Sequence, residues 1–170
     1  MRLLIVTGLP ASGKTTLARE LALRYGAALL RKDAIKEPLL DALGAGDAQH
    51  SRRLSDISFA ALFALVRELA TAGVDLILEG NFRPGEHEEV LRGLAPPRTA
   101  QILCRIEEPE RQMRLAARQD DPSRHPGHRD ALRRDDDLST NRFLDLPGER
   151  FLFESAHGLL QIDGWWHGGR

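Results

Sequence analysis

Cysteine, lysine and an excess of either charge are what this sequence has least of. Its single cysteine, Cys104, excludes an intrachain disulfide and suits a reducing compartment. No apolar run approaches the roughly 20 residues that a membrane-spanning helix needs. The short apolar start before Gly8 is too brief for a signal peptide, so a cytoplasmic protein without a membrane partner is expected. The 24 basic and 25 acidic residues leave a net charge of -1, which gives no overall field toward nucleic acid. Only Lys14, Lys32 and Lys36 among the basic residues are lysine, and all three lie in one N-terminal span. Lysine is a compact point charge and arginine a wide planar fork. In an arginine-biased chain, lysine therefore marks places where a guanidinium does not substitute, unless the clustering is chance.

What is present alternates between two patterns. Short apolar runs at 3–7, 28–30, 74–79, 99–106 and 159–163 read as buried strands. Helical stretches at 14–24, 33–43, 57–72, 84–94 and 109–118 lie between them, with Gly26, Gly44 and Gly73 as stops and Pro38 as a potential kink. Alternating strands and helices imply an α/β fold, a five-stranded parallel sheet covered on both faces. At 170 residues, one domain spanning 1–170 is expected. Residues 119–137 (QDDPSRHPGHRDALRRDDD) break the pattern and read as a lid or flap. Trp165 and Trp166 are expected to cover a sheet edge.

The chemistry concentrates in GLPASGKTT, Gly8 to Thr16. Gly8, Gly13, Lys14 and Thr15 fit the spacing G-x-x-x-x-G-K-[ST] between a strand and a helix. Glycines let backbone N–H groups curl around phosphates, and the helix N-terminus adds partial positive charge. Gly8, Ala11, Ser12, Gly13, Lys14, Thr15 and Thr16 form the expected nucleotide-binding set, with Lys14 reaching the β- and γ-phosphates and the Thr15 hydroxyl binding Mg²⁺. Asp33, after the second strand, is placed to accept a proton from an attacking hydroxyl, or to cap the following helix. Lys36, one turn on, is expected on the same side. Glu79 ends the third strand and can orient Mg²⁺ waters or contact an acceptor. Asn81 suits either an acceptor contact or a turn. Arg114 and Arg118, spaced i, i+4, share a helix face before the flap and could stabilise charge on a transferring phosphate, or simply be solvated. Arg124 and His128, flanking His125 in RHPGH, are weaker acceptor candidates; a zinc site lacks further ligands at suitable spacing.

These motifs resemble the small P-loop kinases that include polynucleotide 5′-kinases, zeta toxins, chloramphenicol phosphotransferase and gluconate kinase. GLPASGKTT is similar to their phosphate loop, KDAIK to the motif holding the general base and a substrate-phosphate cation, LEGNFRP to their third-strand motif, and RLAAR to their paired lid arginines. The resemblance implies a three-layer αβα P-loop NTPase fold with an arginine-bearing lid, Asp33 as base, Lys36 at the acceptor, and Arg114 and Arg118 as catalytic cations. It implies transfer from ATP, with Mg²⁺ and with GTP as an alternative donor, to an acceptor hydroxyl. The expected acceptor is a nucleoside, nucleotide or short nucleic-acid 5′ end; a small non-nucleotide metabolite or antibiotic is the alternative. A GTPase switch should carry N-K-x-D and a hydrolytic ATPase an Asp-Glu after the third strand. Neither is present, so a switch or ATPase is the lesser reading, and no protein partner is inferred.

Overall fold

The computed structural model describes residues 1–119, 121, 125, 141–154 and 159–168. The elements run β1 (Leu3–Gly8), α1 (Lys14–Tyr25), β2 (Ala28–Arg31), α2 (Lys32–Leu43), α3 (Ala48–Thr71), β3 (Leu76–Glu79), α4 (Glu88–Leu94), β4 (Thr99–Cys104), α5 (Glu108–Gln119), β5 (Glu149–Phe153) and α6 (Leu159–His167). All five strands are parallel, in the order β2-β3-β1-β4-β5. The lid expected over 119–137 lies outside the described residues except at 119, 121 and 125.

β1 is the axis of the molecule because its side chains serve both faces of the sheet. Leu3 and Ile5 pack with Leu62 and Val66 of α3 and Leu91 of α4. Leu4 and Val6 pack with Leu17 and Leu21 of α1 and with Ile162 and Trp166 of α6. Every one of these residues is buried, and each is worth about 2 kcal/mol of apolar burial. The alternation gives three layers, helices on both sides of one sheet.

The expected strand at 159–163 is a helix, and the fifth strand is ERFLF, 149–153. A short apolar run such as LLQID is compatible with either a strand or a buried helical segment. Ile162 and Trp166, four residues apart, decide it: on a helix both fall on one face, and both are buried in the core. The Trp166 ring stacks on Tyr25 with centroids 4.5 Å apart. Trp165 meets Phe151 edge-on at 6.4 Å, so it does cover the outer strand. β5 was hidden by its charged start and exposed face, as befits an edge strand.

Two helix boundaries also differ. α3 starts at Ala48 rather than near 57, because Asp47 caps it and accepts a 2.8 Å bond from the His50 amide. α4 starts at Glu88 rather than 84, because Pro84 and Gly85 (φ 83°) turn the chain first.

Candidate active site

The loop between β1 and α1 is held in shape by residues that tolerate left-handed backbone. Gly8 has φ 138°, and a Cβ there would lie 2.3 Å from the Cys104 carbonyl oxygen, so a side chain is excluded. Gly13 caps α1 with φ 89°. Ala11 holds φ 68°, a conformation that costs a non-glycine residue about 1–2 kcal/mol. The Cys104 thiol at the far wall is pushed up to about 12 by burial and is therefore inert.

Lys14, only 8% exposed, donates from Nζ to the Leu9 carbonyl at 2.8 Å. Burial lowers its pKa, opposed by the charges of Glu79, Cys104 and Asp33. The Thr15 hydroxyl donates to Glu79 Oε2 at 3.3 Å. Glu79 ends β3, is also buried, and has its carboxyl pushed upward by desolvation while Lys14 pulls it down. Burial thus penalises both charges, and each favours the other. The buried Ser12 Oγ has no hydrogen-bond partner among the described residues. A loop with an orphaned hydroxyl, a glycine that must lack a Cβ and a buried ammonium fits a phosphate group. Thr15 and Glu79 supply the hard oxygen pair that suits Mg²⁺ bound together with phosphates.

A cavity of about 350 Å³ opens beside this loop, lined by Lys14, Thr15, Asp33, Glu79, Asn81 and Arg118, among others. Nine of the residues expected from the sequence, these six with Ala11, Gly13 and Thr16, are therefore brought together. Asp33 sits inside the first turn of α2, with Arg31 as the N-cap residue, and its Oδ1 accepts from Lys32 Nζ at 3.0 Å. Asp33 and Glu37, four apart, share the cavity face. Lys32 and Lys36, also four apart, are both buried, and Lys36 donates to Ser51 Oγ of α3 at 2.9 Å. Lys36 is absent from the cavity lining, unlike the expectation that it shares a side with Asp33. A three-residue step leaves two helical positions about 60° apart, enough to turn Lys36 toward α3. Arg31, Lys32 and Arg19 supply cations to the cavity instead. Sequence reasoning marked Lys32 only as a lysine and passed over Arg19, Arg31 and Glu37, although Arg19 follows Thr15 and Glu37 follows Asp33 by the i+4 step that would have revealed them.

Arg114 and Arg118 of α5 are divided by the phosphate loop. Arg118 lines the first cavity. Arg114 lies along a second, of about 440 Å³, with Leu17, Ile106, Phe153 and the carboxylates of Glu20, Glu107 and Glu154. Its guanidinium donates to the Ala11 carbonyl at 3.3 Å and to Glu110 at 2.6 Å. Arg111, a turn earlier, is almost wholly buried and doubly bonded to Glu108, at 2.8 Å each, which holds that carboxyl down at about 2 together with Gln112. Arg124 and His128 lie outside the described residues. His125 is described: it borders the first cavity and its Nε2 lies 2.9 Å from Asp41 Oδ1. Among the described residues no helix is long and apolar enough to cross a membrane.

Comparison with known proteins bears on the family and the fold. The chain is 30% identical to a candidate kinase from Chloroflexus aurantiacus, over 99% of this chain and 97% of that one, with a TM-score of 0.81. A sugar kinase from Janibacter sp. is 21% identical, over 98% and 94% of the two chains, with a TM-score of 0.67. A gluconokinase from Sinorhizobium meliloti is 15% identical, over 98% and 90%, with a TM-score of 0.58. These last two show similarity of fold alone. No curated protein matches. Residues 3–135 match the AAA domain family AAA_33, and the chain is a member of that family, with the fold of a P-loop kinase.

Proposed function

We propose that this protein is an ATP-dependent kinase that transfers the γ-phosphate to an acceptor hydroxyl. The observation that carries the reading is that Lys14 and Asp33, a phosphate cation and a carboxylate, line one cavity together with Arg118. In this reading the second cavity, beside Arg114, takes the donor's nucleoside, and the first takes the acceptor. Asp33 accepts the proton of the acceptor hydroxyl as its oxygen bonds to the γ-phosphorus. The bond to the β-phosphate oxygen breaks, giving a phosphate ester and ADP. Lys14 and Arg118 bear on the charge of the transferring group. Thr15 and Glu79 would hold Mg²⁺, which when bound would neutralise phosphate charge.

The acceptor we favour is a nucleoside, nucleotide or nucleic-acid end with an anionic group of its own. Lys36 does not serve that group, but Arg31 and Lys32 stand beside Asp33 in the cavity. A small polyhydroxylated metabolite is the second reading. It is favoured by the absence of phenylalanine, tyrosine and tryptophan among the described lining residues, where Glu37, Glu79 and Asn81 offer hydrogen bonds instead. Labelled ATP offered with nucleosides, 3′-phosphorylated nucleosides, short oligonucleotides, sugars, sugar acids and aminoglycosides tests both. Transfer confined to the sugars selects the second reading. Steady ATP hydrolysis without transfer to any of them would overturn the kinase.

The split of the arginines gives a separate expected result. Arg118→Ala should slow turnover by about 10- to 100-fold, the worth of one charge-assisted hydrogen bond, with little change in KM for ATP. Arg114→Ala should act chiefly on KM for ATP, because its guanidinium belongs to the second cavity. Steady-state kinetics that show the same pattern for both variants would remove the division of labour.

A further inference from the structure

We propose that His87, which lies outside both cavities, is a positioning residue for the acceptor wall: its ring holds the segment after β3 that carries Gly80 and Asn81. The consequence for the acceptor rests on reading the first cavity as the acceptor site; the structural part does not.

His87 brackets the Arg83 peptide from both sides. The Arg83 amide donates to His87 Nδ1 at 2.9 Å, and the His87 amide donates back to the Arg83 carbonyl at 3.1 Å. Because Nδ1 accepts, the ring is neutral with its proton on Nε2. The ring is buried and lies 4.0 Å, centroid to centroid, from Phe59 and edge-on to Phe82 at 6.1 Å. Phe59 and Phe82 in turn form the floor beneath Gly80, where an added Cβ would meet each ring at 3.5 Å and the Lys32 side chain at 3.3 Å. Lys32 Nζ stands 5.9 Å over the Phe59 ring. One aromatic layer thus separates His87 from Gly80, Asn81 and Lys32, three residues of the cavity wall. Interiors this close-packed transmit a displaced ring to its neighbours.

A protonated Nδ1 would set one N–H against another and orphan the Arg83 amide. The charged groups facing the ring are Glu86 and Asp56, which favour protonation, Arg83 and Lys32, which oppose it, and Arg67, across the groove on α3. Burial outweighs the carboxylates and lowers the imidazole pKa. The folded protein therefore binds this proton less readily than the unfolded chain. The contribution is present above about 6.5 and is lost as pH falls through the lower folded value.

The test compares the full chain with His87→Phe, which keeps a ring but no acceptor, and His87→Asn, whose Oδ1 can stand where Nδ1 stood and which also suits a helix N-cap. Amide hydrogen exchange is read by mass spectrometry on the peptide covering 79–84, alongside KM for ATP and for the best acceptor of the panel. His87→Phe should exchange about tenfold faster there, the worth of one buried hydrogen bond, and raise acceptor KM about fivefold or more with KM for ATP within about twofold. His87→Asn should restore both. Unchanged exchange in His87→Phe, equal rises in both KM values, or an asparagine variant as impaired as the phenylalanine one would each overturn the proposal. Should His87→Phe fail to fold, wild-type exchange in this peptide, corrected for intrinsic rates, should quicken as pH falls below about 6.5. The same quickening in His87→Asn would overturn it. If no panel member accepts phosphate, the exchange result alone decides, so failure of the kinase reading and failure of this one are distinguishable.

Discussion

Lys14→Ala is expected to reduce phosphoryl transfer by about 10³-fold or more while the protein remains folded. A single preorganised donor at a developing oxyanion is worth about 10²–10³ in turnover, and Lys14 adds a full charge in a site shielded from water. Its ammonium is already bent over the phosphate loop by the bond to Leu9, so little rearrangement is needed to meet phosphate. Folding should tolerate the change. The ammonium is desolvated and its charged form penalised; removing it relieves that cost, and the Leu9 carbonyl keeps the Ser12 amide as a donor at 3.2 Å. Lys14→Arg should not rescue activity, because a planar fork does not occupy the place of a point charge. Turnover within a few fold of wild type, in a variant with unchanged melting temperature, would refute the role given to the loop.

Asp33→Asn should lower turnover by about 10²–10⁴-fold, the usual contribution of a general base, with KM for ATP little altered. Asn retains an oxygen to accept from Lys32 Nζ, now 3.0 Å from Asp33, so α2 should keep its place. Asp33 is 39% exposed on its side chain, and the lost ion pair is screened by solvent; its effect on stability should be small. The two roles read from the sequence separate cleanly here. Asp33 lies two positions past the cap residue Arg31, so a variant that loses melting temperature but keeps turnover would contradict both the geometry and the chemistry.

Local chemistry was legible in the sequence, and relations across the sheet were not. The loop from Gly8 to Thr15 could be read because its constraint is local: strand, left-handed glycines and helix N-terminus follow one another. The burial of β1 on both faces was visible in LLIV for the same reason. β5 was not, since ERFLF acquires strand character only by pairing with β4 and leaves its own charges in solvent. The direction of Lys36 was lost to helical phase: the three-residue step from Asp33 leaves it about 60° away around α2. The second cavity needs the ends of β4 and β5, the start of α5 and the flank of α1 at once, a juxtaposition that no stretch of sequence contains. The same is true of His87, whose partners Phe59 and Phe82 come from different elements.

The sheet order also sets a timetable for the nascent chain. β1 is the first strand made and the central one in the sheet, flanked by β3 and β4. Val6 has no partner on one side until Glu79 has been synthesised, and none on the other until Ile102. Until then LLIV, one of the most apolar stretches of the chain, has neither backbone partners nor a helix layer over both faces. Non-local parallel pairing of this kind is slow, because loop-closure entropy must be met before the contacts that reward it can form. The strand that carries the phosphate loop is consequently the segment most exposed to mispairing during synthesis. A ribosome-bound chain stopped before β4 should bind chaperones through residues 3–6 and release them once Cys104 has emerged.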